Sequence, residues 1–362
     1  MIFVGTYTKP ILFGTGEIMQ GKGTGIHTLK FNPETGALCH GKVIQKADNP
    51  SFLAVNHEKN TLYAVNELKA FEEEQSGAVS AFQIKNEEGE LEFLNQKTAN
   101  GQDSCHVAVD SDDKHIVISN FLTGSVCVYS VSEDGSLNTC TDVVLHEGSS
   151  ILEKRQKGPH AHSAVKTPDD RYWLIPDLGI DKMMVYELTA EGKLISAPTP
   201  FFKCEPGSGP RFCEFHPNGK IVYLINELAS EISVLTYDAA CGKFELQQTI
   251  STVKRMVSAD ENICADVHVT PDGEFLYGSN RGDDSIAVFS IKADTGELEL
   301  VEVVSCGGKT PRNFTLDAEG NYLLAANQDS DNVVVFAIDK ETGKLAKESE
   351  LELPTPVCLC WY

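Results

Sequence analysis

Along most of the chain, apolar and polar residues alternate in short runs and do not recur at a helical spacing. The runs Ala78–Ile84 and Ser285–Ile291 are typical. Such alternation marks strands with one buried face. A turn after each run carries a glycine followed two positions later by Leu or Phe, at Gly36/Leu38, Gly89/Leu91, Gly135/Leu137, Gly192/Leu194, Gly242/Phe244, Gly296/Leu298 and Gly343/Leu345. The glycine supplies the positive φ of a tight hairpin, and the apolar residue begins the return strand. Seven hairpins predict seven units. A second kind of turn, rich in Asp, Asn and Gly, falls at residues 56–59, 110–113, 167–170, 216–219, 270–273 and 317–320, each before an apolar strand such as Tyr322–Asn327. The seventh unit lacks it because the two chain ends would build that unit. Ile2–Thr6 reads as a second strand and Val357–Trp361 as a first, and pairing them closes a ring and removes an exposed sheet edge. The predicted fold is all-β: a single domain over residues 1–362, a seven-bladed β-propeller with four-stranded blades. No long segment keeps a 3.6-residue period, which argues against a helical bundle or a Rossmann sheet.

The two innermost strands of a blade are antiparallel, so the start of the first and the end of the second lie at the same end of the blade. Residues at those positions converge on one mouth of the central channel. The starts carry Pro50-Ser51, Cys105-His106, His160-Ala161-His162, Gly209-Pro210-Arg211, Asp266-Val267-His268 and Pro311-Arg312. The ends carry Asn66-Glu67, Asn120, Asp177, Asn226-Glu227, Asn280-Arg281 and Asn327-Gln328. Three arginines at one opening repel one another unless carboxylates or an anionic ligand match them. His162, Arg211, Glu227 and Arg281 are therefore the candidate catalytic groups. Glu67, His106, His160, His268, Arg312 and Gln328 are candidate substrate-binding residues, although His106 and His268 fit equally well as inner-strand histidines. The strand-end asparagines read as turn caps. The spacing of His160 and His162 permits a metal pair, but alternation turns them to opposite faces and no Asp or Cys completes a set. Neither metal nor cofactor is expected.

A net charge of −23 and a pI near 4.8 argue against nucleic acid or anionic membrane as partners. The eleven cysteines contain no C-x-x-C pair, and Cys127, Cys358 and Cys360 sit inside apolar runs. Free thiols in a reducing, cytoplasmic setting are the expectation, with a monomer or weak homo-oligomer. No apolar run reaches membrane-spanning length, and the chain starts directly on a strand, so no leader is expected.

The stretches Gly5–Thr8, His160–His162, Pro176–Gly179, Gly209–Arg211, Phe215–Gly219, Asn226-Glu227, Val267–Gly273, Asn280-Arg281 and Thr310–Arg312, in order and from end to end, resemble the lactonase family of seven-bladed propellers. That family includes bacterial 6-phosphogluconolactonase and a fungal carboxy-muconate cyclase. The resemblance implies metal-independent hydrolysis of a small anionic sugar lactone, foremost 6-phosphoglucono-δ-lactone to 6-phosphogluconate in the pentose phosphate pathway. The family's proposed active histidine, two arginines and glutamate fall on His162, Arg211, Glu227 and Arg281. Glu227 or His162 would deprotonate water, Arg281 or Arg211 would stabilise the oxyanion, and Arg312 with the rim run Lys154–Lys157 would hold a phosphate, unless that run is only a solvated loop. The family places histidine after Gly-Pro-Arg where this chain has Phe212, and alternation from Arg211 predicts that Phe212 turns away into packing. The same arginines would suit a cyclase acting on an unsaturated dicarboxylate. A non-enzymatic scaffold of the Trp-Asp type is a third reading, but Trp173 and Trp361 are the only tryptophans and neither precedes Asp.

Overall fold

Seven four-stranded antiparallel sheets stand in a ring in a computed structural model that describes residues 1–362 apart from 14, 15, 17, 46, 256 and 257. In the first blade the strands run outward from the axis as Pro50–Val55, Thr61–Asn66, Ala78–Ile84 and Leu91–Thr98. The next five begin with the inner strands Ser104–Val109, Val165–Lys166, Pro210–Phe215, Ile263–Val269 and Pro311–Leu316. The seventh combines both termini: Pro356–Trp361 is innermost, followed by Ile2–Thr6, Ile26–Phe31 and Leu38–Gln45. Its register runs from Ile2 opposite Trp361 to Gly5 opposite Cys358, which closes the ring as expected. A two-stranded hairpin, Ile11–Leu12 with Ile18–Met19, lies outside the blades.

The hairpin glycines at positions 36, 89, 135, 192, 242, 296 and 343 all have positive φ, between 64° and 83°. Their carbonyls also tie neighbouring blades together. The hydroxyls of Tyr63, Tyr223 and Tyr277 donate to the carbonyls of Gly135, Gly296 and Gly343 in the following blade at 2.9–3.0 Å. The core lies between successive sheets. Tyr223, Ile225 and Val234 of the fourth blade pack on Val267, Leu276 and Phe289 of the fifth. The middle strands are buried on both faces, and this explains continuous apolar stretches such as Ile221–Ile225.

The innermost strands depart from simple alternation at one consistent place. Where each meets its neighbour near the channel mouth, the register skips Ser51, Cys105, Arg211 and Arg312 in the first, second, fourth and sixth blades, and both Ala265 and Asp266 in the fifth. A β-bulge of this kind lets two successive side chains face the same way. Ser51 with Phe52, Cys105 with His106, Arg211 with Phe212 and Arg312 with Asn313 accordingly all point into the channel. The third blade keeps only Val165–Lys166 as inner strand, preceded by an isolated bridge between Ala161 and Asp177. There Pro176 offers a carbonyl to the His162 N–H (3.0 Å) but has no N–H to return. Phe212 therefore departs from the alternation-based expectation: the bulge at Arg211 swings its ring to the axis, 5.9 Å from the His106 ring and 6.0 Å from that of His268.

Candidate active site

Two tiers of side chains form the mouth. The lower tier consists of the bulge residues, with His162 at the corresponding place in the third blade. The upper tier consists of the residue after the asparagine that closes the second strand in five of the blades: Glu67, Phe121, Glu227, Arg281 and Gln328. Backbone bonds to the segment entering the blade fix several of these, with the N–H of Glu67, Glu227 and Gln328 donating to the carbonyls of Asn49, Gly209 and Thr310 at 2.7–3.0 Å. The asparagine before each one is structural. Asn66, Asn120, Asn280 and Asn327 donate from Nδ2 to the carbonyls of Asp48, Ala99, Thr252 and Cys306 at 2.7–3.1 Å. A loop between the second and third blades completes one side. Asp181 anchors it by accepting bonds from Gln156 Nε2 (2.8 Å), Gly207 N (2.7 Å) and Gly209 N (2.7 Å). That one carboxylate sets both the loop carrying Arg155 and the turn leading to Arg211.

These tiers enclose a cavity of about 390 Å³, whose lining includes Glu67, Asp103, Cys105, Phe121, Arg155, His162, Glu227, Arg281, Arg312 and Gln328. Glu227, 4 % exposed at the side chain, sits at the centre of its charges. Oε1 accepts from Arg155 Nη2 and Oε2 from Arg281 Nη2, both at 2.6 Å. Arg211 Nε lies 3.1 Å from Oε2 without the alignment of a hydrogen bond. Burial alone would raise the Glu227 pKa, but Arg281, Arg155 and Arg211 together hold it well below the usual carboxylate range. Arg281 Nη2 also donates to the Cys264 carbonyl (2.6 Å), and Arg211 Nη1 donates to that of Ala265.

Arg312 is placed differently. Its side chain is 11 % exposed, stands 3.8 Å from Glu67 Oε2 and lies over the rings of Tyr7 (5.3 Å) and Phe13 (5.6 Å). Glu67 Oε2 accepts instead from the Tyr7 hydroxyl at 2.8 Å. Among the described residues the Arg312 guanidinium donates no hydrogen bond. Neither does a partner engage the His162 ring nitrogens, and burial, followed by the charge of Arg211, drives the His162 pKa well below its ordinary value. His162 is a neutral imidazole facing the cavity. Four largely buried guanidiniums (Arg155, Arg211, Arg281, Arg312) have Glu227 and Glu67 as their close carboxylate partners, and the buried Asp266 faces Arg211 from below. The nearby Asp103 is paired with Lys69, and Arg312, 3.8 Å from the nearest carboxylate oxygen, is the least tightly matched of the four.

Of the residues singled out from the sequence, His162, Glu227, Arg281, Glu67, Arg312 and Gln328 line this cavity. Arg211 lies just beneath it, against Glu227, and His106 lies deeper in the channel. His160 and His268 are elsewhere. His160 stacks on Phe121 (4.5 Å) with Nδ1 at 2.8 Å from the Phe121 carbonyl, because the two-residue period turns it away from His162. His268 sits farther along the fifth inner strand, between Glu214 (2.5 Å) and Asp266 (3.3 Å). Sequence reasoning passed over Cys105, Asp103 and Tyr7, and saw Arg155 only as part of a rim run. The bulge that aims Cys105 has no sequence signal, and Arg155 reaches Glu227 across a gap of 72 positions. Among the described residues, no group of three or more His, Cys, Asp or Glu is arranged to hold a metal ion.

Comparison with known proteins supplies the family. Residues 1–361 match the family described as lactonase, 7-bladed beta-propeller. The chain belongs to it. A 6-phosphogluconolactonase of Bacillus subtilis strain 168 is 37 % identical over 315 residues, 87 % of this chain and 84 % of that protein. A 6-phosphogluconolactonase of Formosa agariphila is 34 % identical over 320 residues, 87 % and 86 % of the two chains. The solved structure of the periplasmic gluconolactonase PpgL of Pseudomonas aeruginosa superimposes with a TM-score of 0.88 at 30 % identity, covering 99 % of this chain and 97 % of that one. In this chain the mouth described above is the common end of the inner strands, and the segment after the second strand of the blade built from the termini adds Leu12 and Phe13 to its lining and Tyr7 beside Glu67.

Proposed function

We propose that the chain is a lactone hydrolase acting on 6-phosphoglucono-δ-lactone, with the cavity at the channel mouth as its active site. The observation that carries this reading is the meeting, in one cavity, of a neutral histidine whose ring is unengaged and of Arg312, whose guanidinium donates no hydrogen bond among the described residues. A phosphate monoester carries about −1.5 to −2 charge near neutrality, and Arg312 is free to donate to it. The 6-phosphogluconolactonase relatives supply the substrate class.

His162 is the general base, since its lone pair is available at neutral pH. Glu227 serves as the counter-charge that keeps Arg155, Arg211 and Arg281 in place, because guanidiniums occupy both of its oxygens, whereas no partner among the described residues occupies the ring nitrogens of His162. His162 takes a proton from water as the water oxygen bonds to the lactone carbonyl carbon. Arg281, with Nη1 uncommitted on the cavity wall, donates to the carbonyl oxygen as it becomes anionic, a contribution of about 3–4 kcal/mol for a well-placed donor. Collapse breaks the bond to the ring oxygen, which takes the proton back from His162. The new carboxylic acid then ionises, so each turnover yields one carboxylate and one proton. Arg312, with Lys154 at the rim, holds the phosphate. Eleven unpaired thiols suit a reducing, cytoplasmic setting, and nothing in this chemistry calls for a second subunit.

The test is hydrolysis of freshly prepared 6-phosphogluconolactone, corrected for spontaneous opening, beside unphosphorylated gluconolactone. A higher kcat/KM for the phosphorylated substrate supports the reading. Equal values would remove the phosphate assignment, and a rate at background with both would end the lactonase reading for this cavity.

A further inference from the structure

Tyr7 follows the second strand of the blade built from both termini and is fully buried. Its backbone is fixed from two sides. The N–H donates to the Thr355 carbonyl at 3.2 Å, and the carbonyl accepts from the Gly23 N–H at 2.8 Å and from the Thr355 hydroxyl at 2.9 Å. A Cβ at Gly21 would fall 2.6 Å from the Tyr7 carbonyl carbon, so the segment crossing Tyr7 needs glycine to lie this close. The side chain so placed has two separate effects beside the cavity. Its ring lies 5.3 Å from the Arg312 guanidinium, with the Phe13 ring at 5.6 Å, and an aromatic face attracts a cation without occupying any of its N–H groups. Its hydroxyl donates to Glu67 Oε2 at 2.8 Å. Burial, opposed by the charge of Arg312 and reinforced by that of Glu67, raises the Tyr7 pKa well above its ordinary value, so the hydroxyl keeps the proton it donates. The oxygen it holds is the same Oε2 that stands 3.8 Å from Arg312 Nη2, beyond hydrogen-bond reach.

We propose that Tyr7 is a positioning residue that keeps Arg312 open for phosphate: its ring seats the guanidinium, and its hydroxyl holds Glu67 back from it. The proposal rests on the reading of Arg312 as the partner of the phosphate group. An arginine and a glutamate this close in a buried setting would ordinarily close into a pair with two parallel N–H···O bonds, and a phosphate would then have to break that pair before it could bind. With Oε2 committed to the Tyr7 hydroxyl, Glu67 stays near enough to offset the charge of Arg312 before substrate arrives, and too far to take up its N–H groups. Arg312 lines the cavity with those groups undonated among the described residues. Phosphate oxygens match the planar fork of a guanidinium, and a guanidinium already seated over two rings loses little freedom when they bind. Tyr7 thus acts on the substrate through Arg312 and Glu67, without lining the cavity itself.

The experiment compares the full chain with Tyr7→Phe, Glu67→Gln and the double variant. It measures kcat and KM for 6-phosphogluconolactone and for gluconolactone, and the Kd of inorganic phosphate by calorimetry. Tyr7→Phe keeps the ring and frees Glu67 to close on Arg312. KM for the phosphorylated lactone and Kd for phosphate should then rise at least about tenfold, with much smaller changes in kcat and in KM for gluconolactone. Glu67→Gln should tighten phosphate binding, because the charge that repels phosphate is gone. The double variant should bind phosphate as tightly as Glu67→Gln, a rescue that a hydroxyl serving only packing would not produce. An unchanged phosphate Kd in Tyr7→Phe overturns the proposal. So does an equal loss on both lactones, or a double variant no better than Tyr7→Phe. If Tyr7→Phe does not fold, Glu67→Gln decides, and weaker phosphate binding there overturns the proposal. A protein that hydrolyses neither lactone yet shows the loss and its rescue with inorganic phosphate would keep the role of Tyr7 and end the lactonase reading.

Discussion

Replacing Glu227 with Gln removes one charge and keeps the side-chain shape, leaving three guanidiniums that approach within 2.6–3.1 Å without their counter-ion. Each contact is worth about 4 kcal/mol in attraction at an effective dielectric of 20 and a charge separation of about 4 Å, and the cost of burying the carboxylate offsets much of that sum. Breaking a buried ion pair from one side typically costs about 3–5 kcal/mol. With an unfolding entropy of about 2.1 cal/mol/K per residue, the 362 residues give roughly 0.76 kcal/mol/K, so Tm should fall by about 4–7 °C. The pH dependence has a definite sign. The folded-state pKa of Glu227 lies below its ordinary value of 4.5, so its stabilisation is complete above that value and disappears as pH falls through the folded-state pKa. The gap in Tm between wild type and Glu227→Gln should therefore be constant from pH 8 to about 5.5 and narrow only in more acidic solution. Inorganic phosphate should raise Tm of the variant more than that of wild type, because it meets the freed guanidiniums. Thermal unfolding monitored by fluorescence across pH, alongside turnover, checks all three points. An unchanged Tm with normal kcat would refute the view that Glu227 organises the arginines.

Four variants and one pH profile can be measured as well. His162→Ala should lower kcat by about 10²–10⁴-fold with little change in Tm, and wild-type kcat/KM should stay level from pH 8 down past 6.5, since the depressed pKa of His162 keeps the base unprotonated there. Arg312→Met should raise KM for the phosphorylated lactone much more than for gluconolactone in steady-state assays. Arg155→Ala should lower Tm by releasing one of the partners of Glu227, and should also reduce kcat if that carboxylate then lets Arg281 move. Gly5→Ala should destabilise by about 1–3 kcal/mol, read by chemical denaturation, because a Cβ there would fall 2.1 Å from the Pro50 carbonyl oxygen at the seam where the ring closes.

The fold was readable because its two repeated turns use residues with specific backbone demands, and glycine at positions such as Gly192 and Gly343 tolerates the positive φ that other residues resist. Strand direction then located the mouth, and with it His162, Glu227 and Arg281. What could not be read was the placement of side chains that break alternation. Phe212 was expected to point away and faces the axis, because a bulge has no side-chain signature of its own. His160 and His268 sit beside mouth residues in sequence yet outside the cavity, since a shift of one position, or a few ångströms along a strand, decides what a side chain meets. Arg155 belongs to a loop whose path depends on Asp181, a tertiary anchor with no local pattern.

Because Arg211, Arg312 and Cys105 occupy the surplus position of their strands, the ladder on either side forms without reference to what they are. Exchanging one for another alters the lining and spares the framework. A scaffold built this way lets the lining change without re-pairing a strand, so the cost of an exchange is set by the ion pairs it breaks around Glu227 and not by the tyrosine-tied blades behind it.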